Sequence, residues 1–128
     1  MAPRVLIVDD DTMVRMSVAA YLEDEGFDVH SATSAAEALR MLETEPLELA
    51  IVDLRLCDMD GEQFILKAHA IKPDMRFLIH TGCMLYQLTP ALVQIGMTEV
   101  DVVYKPMRLQ TLANHIRRVT TPNPPTRD

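Results

Sequence analysis

The chain is expected to fold as an α/β domain, a five-stranded parallel sheet doubly wound with helices on both faces. Three observations point there. Short apolar runs of buried-strand length alternate five times with stretches of helical spacing, and alternation at that period builds a parallel sheet. A length of 128 residues suits one domain and leaves little room for a second. Polar residues follow directly on the ends of the strand-like runs, as at the edge where open α/β sheets bind ligands.

The first strand is the apolar run Val5–Val8. In the helix after it Val14, Val18 and Leu22 share one face, charged Glu23, Asp24 and Glu25 come near its end, and Gly26 is the stop. Phe27–Ala32 alternates less cleanly and suits a sheet edge. Ser34-Ala-Ala-Glu37 is a capping box opening a second helix, which runs through Leu39 and Leu42 and halts before Pro46. Leu49–Val52 is the third strand. The third helix starts near Glu62, turns Phe64, Ile65, Ala68 and Ile71 inward, and ends by Pro73. Phe77–Ile79 is the fourth strand, and Thr89-Pro90 reads as an N-cap followed by proline at the first position of the fourth helix. Val100–Tyr104 is the fifth strand. The last helix begins near Pro106 and presents Leu109, Leu112, Ile116 and Val119. Residues 1–119 thus form the domain, and the Pro-rich segment 120–128 is expected to be a flexible tail, either an end or the start of a linker.

Composition excludes several classes. A hydrophobic fraction of 48% belongs to a chain with a real core. The net charge of −7, with no Lys/Arg-rich run, disfavours phosphate backbones, so no direct nucleic-acid binding is expected. Cys57 and Cys83 lack metal-type spacing, and no apolar stretch approaches the ~20 residues of a membrane span. Without a signal-peptide pattern, two free thiols suggest the reducing cytoplasm and no membrane association.

The chemistry lies in the strand ends: Asp9 and Asp10 after Val8, Asp53 after Val52, Thr81 after Ile79-His80, and Lys105 after Tyr104. Strands of a parallel sheet share one carboxyl edge, so these side chains should converge there. Singly, each has a plainer explanation: Asp10 or Asp11 as a helix cap, Asp53 at a turn, Lys105 as a solvated charge. Together, the carboxylates repel one another unless a divalent cation joins them, and an all-oxygen set with room for water suits Mg²⁺. A cation, a lysine and a hydroxyl around an aspartate are the requirements of phosphoryl transfer, which needs mainly positioning and charge stabilisation.

In order along the chain, Val-Leu-Ile-Val-Asp-Asp-Asp, Ile-Val-Asp53-Leu, Met59-Asp60-Gly61, His80-Thr81-Gly82 and Lys105-Pro106 resemble the receiver domain of bacterial two-component response regulators, over roughly residues 4–119. The likeness is to the chemotaxis-regulator-like, stand-alone kind. It implies the flavodoxin-like (βα)5 fold with strand order 2-1-3-4-5. It implies Asp53 as phosphoacceptor, with a histidine kinase or phosphotransfer protein as donor and an unknown downstream protein as target. Asp10 would bind Mg²⁺ directly, Asp9 largely through water, and the Arg55 backbone carbonyl would complete the protein ligands beside Asp53. Thr81 and Lys105 would hold the phosphoryl oxygens, and the Lys105-Pro106 peptide would be cis. The protein would be a signalling switch catalysing only its own phosphorylation and dephosphorylation.

Four departures from the family's pattern stand out. Cys57 replaces the common proline four residues after Asp53, and reads as a loop residue rather than a redox sensor. Arg55 occupies a position that tunes phosphoryl lifetime and is expected to slow self-dephosphorylation. Val102 stands where receivers carry the aromatic of their switch, with Tyr104 the nearest aromatic on the same strand face. The stretch from Thr81 to Lys105 is about two residues longer than is common in the family, and its loop, with Met84 and Leu85, is unusually apolar. Those side chains either fold back on the core or form a docking or homodimer face. The alternatives are a pseudo-receiver scaffold that binds partners without phosphorylation, a haloacid-type phosphatase, which Arg55 disfavours for want of a second acid, and a flavin module, disfavoured by the first loop.

Overall fold

A computed structural model describes residues 3–56, 58–105 and 108–120. In chain order the elements are β1 (Arg4–Val8), α1 (Thr12–Asp24), β2 (Asp28–Ala32), α2 (Ala35–Thr44), β3 (Leu49–Val52), α3 (Gly61–Ile71), β4 (Arg76–Thr81), α4 (Pro90–Gln94), a 3-10 turn (Glu99–Asp101), β5 (Val102–Tyr104) and α5 (Leu109–Thr120). All neighbouring strands pair in parallel, in the order β2-β1-β3-β4-β5. The expected fold and strand order are both met.

Alternation along the buried strands builds two cores. Val5 and Ile7 of β1, Leu49 and Ile51 of β3, Leu78 and Val103 pack with Val18 and Leu22 of α1 and Leu112 and Ile116 of α5. Leu6, Val8, Ala50, Val52, Phe77 and Ile79 face the other way, onto Ala38 and Leu42 of α2, Phe64, Ile65 and Ala68 of α3, and Leu92 of α4. Each central strand therefore reads as a continuous apolar run, because both of its faces are covered.

The helix ends follow local chemistry. Asp11, not Asp10, caps α1, its carboxylate accepting from the amides of Met13 and Val14 at 3.0 and 3.2 Å. At the other end Gly26 takes φ +96°. The Phe27 amide then reaches back to the Leu22 carbonyl, and the Gly26 amide to that of Glu23, closing the last turn. Ser34 accepts from the Glu37 amide as expected. The returning Glu37 carboxylate, however, accepts from the amide of Thr33, one residue upstream of the cap.

Three expectations need correction. Ile71 does not point inward: it is the last residue of α3 and is 44% exposed. Periodicity assigns it to the apolar face but does not reveal where a helix outruns the surface it covers. The fifth strand does not begin at Val100, which is exposed on the 3-10 turn. Buried Asp101 accepts from the Thr98 amide at 2.8 Å, and this tight turn delays the extended conformation until Val102. The last helix starts at Leu109, after a non-helical Arg108 and later than the expected start near Pro106, and it continues through Thr120, the first residue of the expected tail. The rest of that tail, 121–128, lies outside the described residues. The expectations for Cys57 and for the cis peptide between Lys105 and Pro106 also fall outside the described residues. Among the described residues no helix is long and apolar enough to cross a membrane.

Candidate functional site

β1 and β3 lie side by side while the chain leaves them for opposite sides of the sheet, which opens a crevice beyond their carboxyl ends. Val8 of β1 is in register with Val52 of β3, Val52 with Ile79 of β4, and Ile79 with Val102 of β5. The backbone pairing continues one step past the strands: the Asp53 amide donates to the Val8 carbonyl at 3.0 Å, and the Asp9 amide to that of Ala32 at 3.4 Å. Asp9 and Asp53 are therefore delivered together by sheet geometry, before any side chain chooses a rotamer. Across the sheet, the Lys105 amide donates to the Thr81 carbonyl at 2.7 Å.

Asp9, Asp10 and Asp53 each offer a carboxylate oxygen, all within 4.8 Å of one another. The Lys105 ammonium lies 3.4 Å from Asp9 Oδ2 and 3.6 Å from Asp53 Oδ2. Asp9 is buried, and its other oxygen accepts from the Asp11 amide at 2.9 Å. Asp53 is half-buried, and desolvation raises its pKa above the ordinary carboxylate value. Lys105 opposes that shift, Asp9 and Asp10 reinforce it, and the Arg55 amide, 3.4 Å from Oδ1, offsets it in part. One ammonium among three carboxylates leaves an uncompensated negative charge, the condition that favours a cation.

The donor set fits Mg²⁺. All the groups are hard oxygens, and one carboxylate oxygen from each acid lies within 4.8 Å of the others, close enough for a single cation to be shared among them. Asp10 is exposed and open to a direct contact, whereas both oxygens of Asp9 are already engaged.

The loops around the site are held by Arg15 and Asp58, which sequence reasoning did not single out, and by Gly61 of the Met59-Asp60-Gly61 motif. Arg15 reaches back from α1 to the Asp9 carbonyl at 2.8 Å. Asp58 binds the first amides of α2, and those of Ala36 and Ala35 hold its carboxyl below the usual range. Gly61, buried at the start of α3, lies against the backbone of Asp53 and Leu54. None has a periodic or motif signature of its own, apart from the acid-glycine pair Asp60-Gly61.

Thr81 is buried, and its hydroxyl accepts from the Cys83 amide at 3.0 Å. The Cys83 carbonyl accepts in turn from the Tyr86 amide, and the Tyr86 hydroxyl donates to Glu62 of α3 at 2.6 Å. Burial, then this bond to Glu62, pushes the Tyr86 pKa upward. Tyr86→Phe is expected to cost about 1 kcal/mol, read as a lower urea midpoint at unchanged slope.

Of the residues singled out in the sequence, Asp9, Asp10, Asp53 and Lys105 come together, with Thr81 beside Lys105 on the neighbouring strand. Arg55 is exposed on the β3–α3 loop. Met84 and Leu85 do not fold back: they are 68% and 89% exposed, while Tyr86, Leu88 and Ile95 pack against the core. Val102 and Tyr104 are half-buried and line one groove together with Tyr86, Leu88, Val93 and Met97.

Residues 5–117 match the response regulator receiver domain family. The response regulator receiver protein CpdR of Brucella abortus is 29% identical over 116 residues, which cover 91% of this chain and 95% of that protein. The C4-dicarboxylate transport transcriptional regulatory protein DctD of Rhizobium meliloti is 33% identical over 91% of this chain, which spans only 25% of DctD. Among solved structures, the CheY-like receiver domain protein of Methanospirillum hungatei superposes with a TM-score of 0.82 at 33% identity, covering 93% of this chain and 94% of its own. A response regulator from Burkholderia pseudomallei, solved with a phosphorylated aspartic acid, a calcium ion and citrate, superposes at 0.71 with 25% identity, covering 93% of this chain and 73% of its own. With this fold, this acidic crevice and a match spanning nearly its whole length, the chain belongs to the response regulator receiver domain family of two-component systems.

Proposed function

We propose that Asp53 accepts a phosphoryl group from a histidine kinase or phosphotransfer protein, making the domain a phosphorylation-dependent switch. The observation that carries this reading is the Lys105 ammonium held between Asp9 and Asp53, 3.4 and 3.6 Å away, at the crevice of the sheet. An Asp53 oxygen attacks phosphorus, the O–P bond forms and the donor's N–P bond breaks. The imidazole leaves with the electron pair, its other nitrogen protonated. Lys105 is placed to follow the charge from the carboxylate to the phosphoryl oxygens. Thr81, which accepts from the Cys83 amide, keeps its own hydroxyl hydrogen free to donate to one of them. Mg²⁺ when bound supplies the positive charge that lets two anions meet. Asp10, Asp53 and the Arg55 carbonyl would hold it directly and Asp9 through water. The Burkholderia structure, with its phosphorylated aspartic acid and calcium ion, supports this combination.

The product is an altered surface rather than a released metabolite. Exposed Met84 and Leu85, beside the groove of Val102 and Tyr104, form the docking face for a downstream protein or a second copy. The reading places the protein in the cytoplasm, with residues 1–119 as the switch. The test is incubation with Mg²⁺ and acetyl phosphate followed by intact-mass measurement. Wild type is expected to gain one phosphoryl group and Asp53→Asn none. Equal loading of both would move the acceptor elsewhere, and failure of wild type to load would leave a pseudo-receiver scaffold.

A further inference from the structure

The segment between β3 and α3 carries Asp53 and Arg55, and it is tied down repeatedly. The Asp53 amide is fixed to Val8, the Gly61 amide donates to the Leu54 carbonyl at 2.7 Å, and Arg55 pairs with Asp60 in an isolated antiparallel bridge. Asp60 also caps α3 through the Gln63 amide at 2.8 Å. Apart from the Asp53–Val8 bond, which continues the sheet ladder, these bonds join the segment to its own two ends. One side-chain tie leads elsewhere. Asp58 Oδ1 accepts from the Ala35 amide at 3.0 Å, and Oδ2 from the Ala36 amide at 2.9 Å. Those are the first two amides of α2, which have no partner within the helix, and they stand at its positive end. With Ser34 taking the Glu37 amide, the opening turn of α2 owes two of its three bonds to a residue 22 and 23 positions further along the chain.

We propose that Asp58 is a positioning residue for the cation of the phosphoryl site, clasping the loop that carries Arg55 to the N-terminus of α2. The proposal rests on the reading of Asp53 and its neighbours given above. The Arg55 carbonyl is a backbone ligand, so no rotamer can correct its aim. Its position is set by how the loop is anchored, and Asp58, three residues on, is the side chain that anchors that loop to α2. Outer groups that orient ligands are worth about tenfold or more in metal affinity. Coupling is reciprocal: if the clasp favours the bound cation, the bound cation must strengthen the clasp. The start of α2 therefore senses occupancy of a site it does not touch.

The test is an NMR titration with MgCl₂ alone on wild type, Asp58→Ala and Asp58→Asn, with amide exchange of Ala35 and Ala36 measured with and without Mg²⁺. In wild type, Mg²⁺ should slow exchange at both amides. Asp58→Ala should lose about tenfold in Mg²⁺ affinity and abolish that response. Asp58→Asn removes the charge but keeps one carbonyl acceptor, and should lose clearly less. Equal losses in the two variants would show that the charge of Asp58 acts at a distance and would overturn the clasp. So would wild-type α2 amides indifferent to bound Mg²⁺, an outcome that leaves the phosphoacceptor reading standing. Wild type that binds no Mg²⁺ would overturn both.

Discussion

Gly61→Ala is expected to lose about 2–4 kcal/mol of stability and most of its phosphoryl loading. The residue is buried, and a Cβ there would overlap the backbone carbonyl of Asp53 and lie 2.9 Å from Leu54 Cα and 3.1 Å from Val52 Cγ1. Two of the three obstacles are backbone, so no rotamer change relieves them. Either α3 backs away, breaking the 2.7 Å bond from the Gly61 amide to the Leu54 carbonyl, or the end of β3 shifts and takes Asp53 with it. Overpacking of this kind costs about 1–3 kcal/mol and a lost hydrogen bond about 1 more. Glycine is needed here for space and not for its backbone angles, since Gly61 has no positive φ. Urea denaturation gives the stability and intact-mass kinetics with acetyl phosphate give the loading. A variant within about 0.5 kcal/mol of wild type that loads at the same rate would refute the close contact.

His80 should make the protein acid-sensitive well above the carboxylate range. It is 7% exposed on β4, its Nε2 has no hydrogen-bond partner, and it lines a cavity with Val14 and Val18 of α1, Leu109 of α5 and Lys105. Desolvation chiefly, then the Lys105 ammonium, push its pKa from 6.5 down to about 4, with Asp9 opposing. The sign follows from linkage. Above pH 6.5 the imidazole is neutral in both states and costs nothing. As pH falls from 6.5 towards 4 the unfolded chain takes up the proton and the folded one does not, so stability declines. Below about 4 the loss is complete. The gap corresponds to about 3 kcal/mol at most. His80→Leu should therefore show a flatter profile between pH 7 and 4, measured by urea denaturation at a series of pH values. Asp53, whose raised pKa acts in the opposite sense, is common to both proteins and cancels. Parallel profiles for wild type and variant would show that His80 titrates normally.

His80 also shows what sequence reading cannot reach. It stands between Ile79 and Thr81 in a recognisable strand-end motif, and nothing in that string tells whether its ring meets water or the two helices above it. Asp58 is the same case. Five residues past Asp53 it reads as a loop acid, and only the approach of α2 from 22 residues earlier turns it into a double cap. The failed expectations have local causes as well. Val100 looks like the start of a strand because apolar residues follow it, but the Asp101 carboxylate captures the Thr98 amide and bends the chain first. Met84 and Leu85 were open to two readings because an apolar loop does not reveal which side chains find the core. Tyr86 and Leu88 pack against it, while Met84 and Leu85 stay in solvent.

By itself, the sequence determined the alternation of five strands and five helices, the caps at Ser34 and Thr89, and the placing of Asp9, Asp10, Asp53, Thr81 and Lys105 at strand ends. These are matters of period and of neighbours within a few residues, and periodicity carries that information directly. The convergence of these side chains on one sheet edge is also expected from the sequence. The tertiary structure alone decided its distances, with the three acids within 4.8 Å of one another and one lysine between two of them. It alone showed Gly61 and Asp58 holding the loop beneath. The reason is that each of these contacts joins segments distant in the chain. Their geometry is set by sheet register and by the packing of helices on both faces, which no local pattern of residues encodes.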